Sequence, residues 1–115
     1  MFDFENLSVY QKAREARKVL FSIIAGSKIV DRGIADQLRR AVLSILLNIA
    51  EGTGKSSKAD KKNFFTIARG STYETVAIID LLCDDNIISQ EEHDNLYSLF
   101  EEISKMLLGL INSLK

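Results

Sequence analysis

The chain has 115 residues and a formal net charge of −1, a length that fits one domain with its own hydrophobic core. The 46% hydrophobic and 27% charged residues argue against a disordered chain. The single cysteine excludes an intramolecular disulfide and a cysteine-rich zinc site. There is no proline, so long helices are not interrupted. We expect one domain over residues 1–115.

The near-zero net charge hides an uneven distribution of charged residues along the chain. Residues 1–69 contain 13 Lys and Arg against 7 Asp and Glu, a net of +6, whereas residues 70–115 contain 2 against 9, a net of −7. A basic half suggests an anionic partner, although two opposite halves would also neutralise each other within the fold.

Apolar residues recur at helical spacing in four segments, and no segment alternates like a half-buried strand. Ser89 and Glu92 form a capping box that marks the start of the fourth helix. Gly52 and Gly54 are expected to end the second helix in the left-handed conformation, and Gly70 to mark a close approach between helices. In chain order, the predicted helices cover residues 8–25, 34–51, 57–84 and 89–114, with a polar loop over 27–32.

Four amphipathic helices with short connections predict an all-α fold, an antiparallel up-down-up-down four-helix bundle. No apolar run reaches the roughly 18–20 residues that span a bilayer, and the first residues lack the basic start and apolar core of a signal peptide. We therefore expect a cytoplasmic protein without a membrane partner. The predicted inner face of the third helix contains Phe64, Ile67, Ala68, Ser71, Thr75, Ile78, Ile79 and Leu82.

The sequence contains no pattern typical of an active site. His93 has no His or Cys at ligand spacing, which disfavours a metal site, and we interpret it as a solvated residue at a helix start. Because it is the one histidine of the chain, the two Glu-x-x-His motifs of a di-iron bundle are excluded. Cys83 lies among acidic residues, which disfavour a reactive thiolate. Lys55 follows two glycines, but the spacing is not that of a phosphate loop. We expect no catalytic residue, no metal and no cofactor.

Three stretches of the chain resemble one protein family when they are taken together. They are LSVYQKA at 7–13, SILLNIAEG at 44–52 and FFTIARGSTYE at 64–74. In this order and spacing they resemble the 23S rRNA intervening-sequence protein family, also called the bacterial four-helix bundle protein family, over essentially the whole chain.

The resemblance implies a small bacterial four-helix bundle that assembles as a homopentamer. Some members of the family are encoded inside insertions in the 23S rRNA gene. The family is also similar to the accessory variability protein of diversity-generating retroelements, a basic pentameric bundle that binds nucleic acid and a reverse transcriptase. Membership would specify the fold more closely than the function.

Five polar residues of these motifs have two interpretations: Asn48, Glu51, Arg69, Ser71 and Glu74. They either line a polar pocket or form a network of hydrogen bonds and ion pairs that ties the second helix to the third. We favour the network, because buried polar groups need partners and a satisfied network fixes the register of two helices.

The basic residues suggest a function, namely contact with nucleic-acid phosphates. Lysines at the start of a helix oppose its dipole, so they are not placed there for helix stability. The alternatives are a solvated face, or a charged surface used for self-association or for a protein partner without nucleic acid. The acidic second half and the lack of a stacking platform among the nine aromatic residues predict binding that is salt-sensitive and weak in sequence preference. The predicted contact residues are Arg39, Arg40, Lys55, Lys58, Lys61 and Lys62.

Overall fold

Four α-helices form in the computed structural model, which describes residues 1–27 and 30–114. A single 3₁₀ turn, Asp3–Asn6, precedes them, and the helices are α1 (Ser8–Ala25), α2 (Arg32–Gly54), α3 (Lys58–Asp84) and α4 (Gln90–Ser113). These bounds agree with the predicted ones to within one residue for α1, α3 and α4. Residues 28 and 29, in the predicted loop, and residue 115 lie outside the described residues.

Side-chain caps determine where α3 and α4 begin. Ser57 Oγ accepts a hydrogen bond from the Asp60 N–H at 3.0 Å. The predicted capping box is confirmed: the Ser89 N–H donates to the Glu92 carboxylate at 2.9 Å, and the Glu92 N–H donates to Ser89 Oγ at 3.0 Å. Each cap satisfies amide groups that have no partner inside the first helical turn.

The start of α2 was predicted too late because its cap was missed. The Asp31 carboxylate accepts from the N–H of Gly33 at 2.7 Å and from that of Ile34 at 3.3 Å. With these donors satisfied, the helix begins at Arg32, two residues before the predicted start.

Each helix packs against two neighbours, and the diagonal pairs α1–α3 and α2–α4 do not pack together in the described part of the chain. This arrangement confirms the predicted four-helix bundle, which measures 44 × 22 × 21 Å. Among the described residues, no helix combines the length and apolarity needed to cross a membrane. The core is one apolar cluster, and its largest fully buried side chains include Phe100, Leu20, Leu38, Ile45, Ile49, Ile79, Leu82, Leu96, Ile103 and Leu107.

The buried face of α3 differs from the predicted one. Phe65 is only 3% exposed, whereas Phe64 is half-buried and Ile67 is 44% exposed. The helix is therefore rotated so that the second phenylalanine of the pair, and not the first, enters the core.

The rotation of α3 follows from a direct contact with the backbone of α2 at Gly52. A Cβ atom on Gly52 would lie 2.7 Å from Cε1 of Phe65 and 3.2 Å from Cβ of Phe64. The predicted helix end at this glycine was wrong, because α2 continues to Gly54 and no described glycine has a positive φ. The close approach predicted at Gly70 was also wrong, since nothing lies within 4 Å of its Cβ position.

We expect Gly52→Ala to lower the free energy of unfolding by about 1–3 kcal/mol, because the added methyl group overpacks the α2–α3 contact. The matched control is Gly70→Ala, which meets open space inside a helix and should raise stability by up to about 1 kcal/mol. Urea denaturation of both variants measures the difference. Equal stabilisation by the two substitutions would show that the contact at Gly52 is not tight.

Candidate functional site

Three of the predicted lysines lie together at the start of α3, at the end of the bundle where α2 and α3 are connected. Lys58 and Lys62 are exposed and form no ion pair with any described residue. Lys55 is also exposed, and its Nζ lies 5.0 Å from the centre of the Phe64 ring. This group, Lys55, Lys58 and Lys62, is called the lysine cluster below.

The remaining predicted cations lie elsewhere or have structural partners. Lys61 is half-buried, and its Nζ donates to the carbonyl oxygen of Thr53 at 2.9 Å, which satisfies one of the last carbonyls of α2. Arg39 pairs with Asp36 at 3.3 Å. Arg39 and Arg40 precede the end of α2 by about 15 residues, which places them more than about 20 Å from the lysine cluster.

Polar side chains join α2 to α3 at one level of the bundle. The hydroxyls of Ser44 and Ser71 are 2.7 Å apart, and Asn48 Nδ2 donates to the carbonyl oxygen of Ser44 at 2.8 Å and to its hydroxyl at 3.1 Å. Nearer the start of α2, Gln37 donates to the Glu74 carboxylate. The sequence did not predict that Ser44 and Gln37 belong to these contacts, although Ser44 lies one helical turn before Asn48 in the motif at 44–52.

Arg69 and Glu51 take no part in these α2–α3 contacts. Arg69 reaches α4, where its Nε donates to the carbonyl oxygen of Ser104 at 3.4 Å, and its Nη2 donates to the Tyr73 hydroxyl at 3.1 Å. Because two residues correspond to about 200° around a helix, Arg69 and Ser71 face opposite neighbours. The Glu51 carboxylate is exposed and forms no hydrogen bond or ion pair with a described residue.

A groove between α3 and α4 contains a cavity of about 220 Å³ that is open to solvent on one side and was not predicted from the sequence. Its rim includes two exposed tyrosines, Tyr73 and Tyr97, which are 58% and 40% exposed. The sequence predicted no stacking platform among the aromatic residues, and it did not single out these two tyrosines as exposed. The side chains that line the cavity are Thr72, Tyr73, Val76, Tyr97, Phe100, Glu101 and Ser104.

His93 connects α4 to α3 and is not the solvated residue that was expected. Its side chain is 16% exposed, its Nε2 lies 2.7 Å from Asp80 Oδ1, and its Nδ1 lies 2.9 Å from Asp94 Oδ1. Both ring nitrogens are donors only in the imidazolium form. The hydrogen bonds to Asp80 and then Asp94 raise the pKa of His93 above its ordinary 6.5, and the bond from His93 lowers the pKa of Asp94.

The fold and these surfaces define a class of protein: an all-α four-helix bundle with a lysine cluster at one end and an aromatic groove along one side. Within residues 1–27 and 30–114, no three His, Cys, Asp or Glu side chains are grouped so as to hold a metal ion. The chain belongs to the 23S rRNA-intervening sequence protein family, whose model matches residues 5–109. The resemblance of the three sequence stretches to this family is thereby confirmed.

A solved structure shows the same fold. The chain is similar to a protein of unknown function from the S23 ribosomal protein family of Bacteroides thetaiotaomicron, with a TM-score of 0.81 and 27% sequence identity. The match covers 90% of this chain and 97% of that one. The comparison with curated proteins gives no significant match. The similarity to the retroelement accessory protein stays a prediction.

We expect His93→Gln to lower the melting temperature most at acidic pH. A group whose pKa is raised in the folded state stabilises that state fully below its unfolded pKa of 6.5, and this contribution is lost as the pH rises through the raised value. Melting temperatures between about pH 5 and pH 8 should therefore converge for the two proteins as the pH increases.

The matched control for this experiment is Asp84→Asn, which removes an exposed carboxylate of α3 one turn after Asp80 without touching His93. It should leave the pH dependence unchanged, whereas Asp80→Asn should reduce it. A constant difference between wild type and the His93 variant at every pH would contradict the assigned charge state.

Proposed function

We propose that the protein is a non-enzymatic, oligomeric four-helix bundle that binds nucleic-acid phosphates along α3. The observation behind this proposal is a stripe of three cations, Lys58, Lys62 and Arg69, on one side of the helix. Steps of four and seven residues keep them within about 40° of one another. None of the three has a carboxylate partner among the described residues, so no carboxylate neutralises their charge. Lys58 and Lys62 are exposed, whereas Arg69 is half-buried and also donates to the Ser104 carbonyl and the Tyr73 hydroxyl.

The acidic half of the chain opposes this binding less than its net charge suggests. On α4, the Glu102 carboxylate pairs with Lys12 of α1 at 3.2 Å, and the Glu101 carboxylate lies 3.8 Å from Lys105. Part of the negative charge of α4 is therefore neutralised by neighbouring cations. Contacts to phosphates through flexible lysines support binding that is sensitive to salt and weak in sequence preference.

The family description supports an association with RNA, since it refers to sequences that intervene in 23S rRNA. The resemblance to the retroelement accessory protein supports a nucleic-acid ligand in the same way. Both are statements about relatives. For this chain, the lysine cluster and Arg69 are the residues through which such an association is proposed.

The oligomeric part of the proposal rests on apolar side chains on the outer side of the α2–α3 pair. Leu43 and Leu47, one turn apart on α2, are 47% and 54% exposed, and Ile67 of α3 is 44% exposed. The Ser44–Ser71 contact places Leu47 and Ile67 at nearly the same level. Because burial of exposed apolar side chains is favourable, this surface supports self-association. The family resemblance suggests a pentamer.

The same observation favours the second candidate function, an assembly or adaptor protein that binds a protein partner and no nucleic acid. The two functions differ in the ligand of the lysine cluster, which is a nucleic acid in the first and a protein in the second. If the subunits form a closed ring, every subunit contributes one lysine cluster. A nucleic-acid strand that reaches several of these clusters at once would be bound with high avidity.

We expect the double variant Lys58→Gln/Lys62→Gln to bind single-stranded RNA more weakly than the wild type. The logarithm of the association constant falls linearly with the logarithm of the salt concentration. Loss of two phosphate contacts should make this slope less steep by about 1.4, at about 0.7 per contact. Fluorescence anisotropy with a labelled oligonucleotide at several salt concentrations measures this slope, and a DNA strand of the same sequence tests the choice of nucleic acid.

The control is Lys18→Gln/Arg32→Gln, which removes the same charge from exposed positions nearer the opposite end of the bundle. It should bind as the wild type does. If the assembled wild-type protein fails to bind RNA or DNA at low salt, the adaptor function is favoured. An equal loss in both double variants would show that net charge, and not the stripe on α3, controls binding.

We expect Leu47→Glu to dissociate the oligomer, because it places a charge in the exposed apolar surface of α2 and α3. Light scattering coupled to size exclusion should then report the mass of one chain. Leu108→Glu is the matched control, since Leu108 is also partly exposed but lies on α4. A wild-type protein that is monomeric at high concentration, or a Leu47 variant of unchanged mass, would refute self-association through this surface.

A further inference from the structure

The cavity between α3 and α4 lies between two contacts that join these helices. On one side Arg69 donates to the Ser104 carbonyl at 3.4 Å, and on the other His93 lies 2.7 Å from Asp80. The two contacts are 11 residues apart on both helices, which corresponds to about 16 Å. Because these two contacts fix the spacing of α3 and α4, the helices do not move together to fill the cavity.

The lining of the cavity combines aromatic rings with an apolar base and few polar groups. Tyr73 of α3 and Tyr97 of α4 line it from the two helices, and buried Phe100 and half-buried Val76 are also part of the lining. At about 220 Å³ the cavity is smaller than the roughly 300–1,000 Å³ typical of drug-sized ligands. It therefore suits one planar ring system, which tyrosine rings bind by stacking.

The charged groups at the cavity include one hydrogen-bond acceptor, Glu101, and one hydrogen-bond donor, Arg69. Glu101 is one of the residues that line the cavity, and its carboxylate lies 3.8 Å from Lys105 Nζ, an exposed ion pair without a hydrogen bond. The ionised carboxylate therefore still has oxygen atoms that accept hydrogen bonds. Arg69 lies next to the cavity, because it donates hydrogen bonds to two of the residues that line it, Tyr73 and Ser104. Its Nη1 makes no hydrogen bond to a described residue. A cationic ligand is disfavoured, because the Arg69 guanidinium already lies 5.1 Å from the centre of the Tyr73 ring. The site instead suits a neutral ring with both donors and acceptors.

We infer that this cavity binds a single unstacked guanine base. Guanine alone among the four RNA bases has two adjacent donors, N1–H and the N2 amino group, which a carboxylate such as that of Glu101 accepts together. Its O6 and N7 are acceptors, which arginine commonly contacts. Adenine, cytosine and uracil each offer the carboxylate one donor with an acceptor beside it. Stacking on Tyr73 and Tyr97 would add the aromatic contact by which proteins hold unstacked bases.

The inference deepens the proposed function, because it adds a base contact to a strand held by its phosphates. The stripe of Lys58, Lys62 and Arg69 continues along α3 to Tyr73, and Lys62 and Tyr73 are separated by 11 residues, or about 16 Å. A single strand that follows the lysines would thus pass the opening of the cavity. The result is a preference for guanine at one position in a mode of binding that is otherwise insensitive to sequence.

The experiment is a nuclear magnetic resonance titration of the full chain with the 5′-monophosphates of guanosine, inosine, adenosine, cytidine and uridine. Inosine is the sharpest comparison, since its base is guanine without the N2 amino group. We expect shifts confined to the amides of residues 69–76 and 97–104, and a dissociation constant for the guanosine nucleotide that is lower by about tenfold than that for the inosine nucleotide.

Two variants and one control test the assignment of residues. Tyr97→Ala should abolish binding of all five nucleotides, whereas Glu101→Gln should keep binding and lose the preference for guanosine over inosine. Glu102→Gln is the matched control, because Glu102 pairs with Lys12 of α1 on another side of α4, and it should bind as the wild type does. If Tyr97→Ala fails to fold, Glu101→Gln alone decides the result.

The outcomes separate this inference from the proposed function. Lys58→Gln/Lys62→Gln should lose affinity for RNA and retain the shifts caused by the guanosine nucleotide. Salt-dependent RNA binding with no nucleotide shifts at the cavity, or with shifts only near the lysine cluster, would overturn the guanine site and leave phosphate binding in place. Equal affinities for all five nucleotides would also overturn it. Guanosine shifts at the cavity without any RNA binding would instead refute the proposed function.

Discussion

The contact between the backbone of α2 at Gly52 and the ring of Phe65 determines the orientation of α3, on which the surfaces of the protein depend. Any side chain at position 52 would separate the helices and allow α3 to rotate. With the glycine in place, and with Ser44 and Ser71 fixing the level of the pair, Arg69 faces α4. The outer apolar surface and the stripe of cations on α3 follow from that one orientation.

The bundle was predictable from the sequence because each helix has its own apolar stripe, and the starts of α3 and α4 have local cap signals. The rotation of α3 was not predictable. Two adjacent phenylalanines, Phe64 and Phe65, fit a helical stripe equally well, and the choice between them depends on a glycine of another helix. The same reason explains why Gly52 was interpreted as a helix end, since a glycine that ends a helix and one that admits a neighbour look alike in sequence.

The candidate site was predictable only where its residues share one helix. Lys58 and Lys62 are neighbours by helical spacing, and the structure keeps them together. Lys61 was grouped with them, although its partner, the Thr53 carbonyl, belongs to α2. The aromatic groove could not be found from the sequence, because residues near 73 and residues near 97 meet only when α3 and α4 pack in register. The prediction that His93 is solvated was wrong for the same reason, because its partner Asp80 lies on α3.

The short connection between α2 and α3 has a consequence for the order of folding. Only residues 55–57 separate the two helices, and Ser57, Lys61 and Thr53 form hydrogen bonds at this turn. Contacts between α2 and α3 therefore close short loops, whereas α1 and α4 are neighbours in the bundle but lie at opposite ends of the chain. Because closing a longer loop costs more conformational entropy, we expect the α2–α3 hairpin to form early and α1 to dock on α4 last.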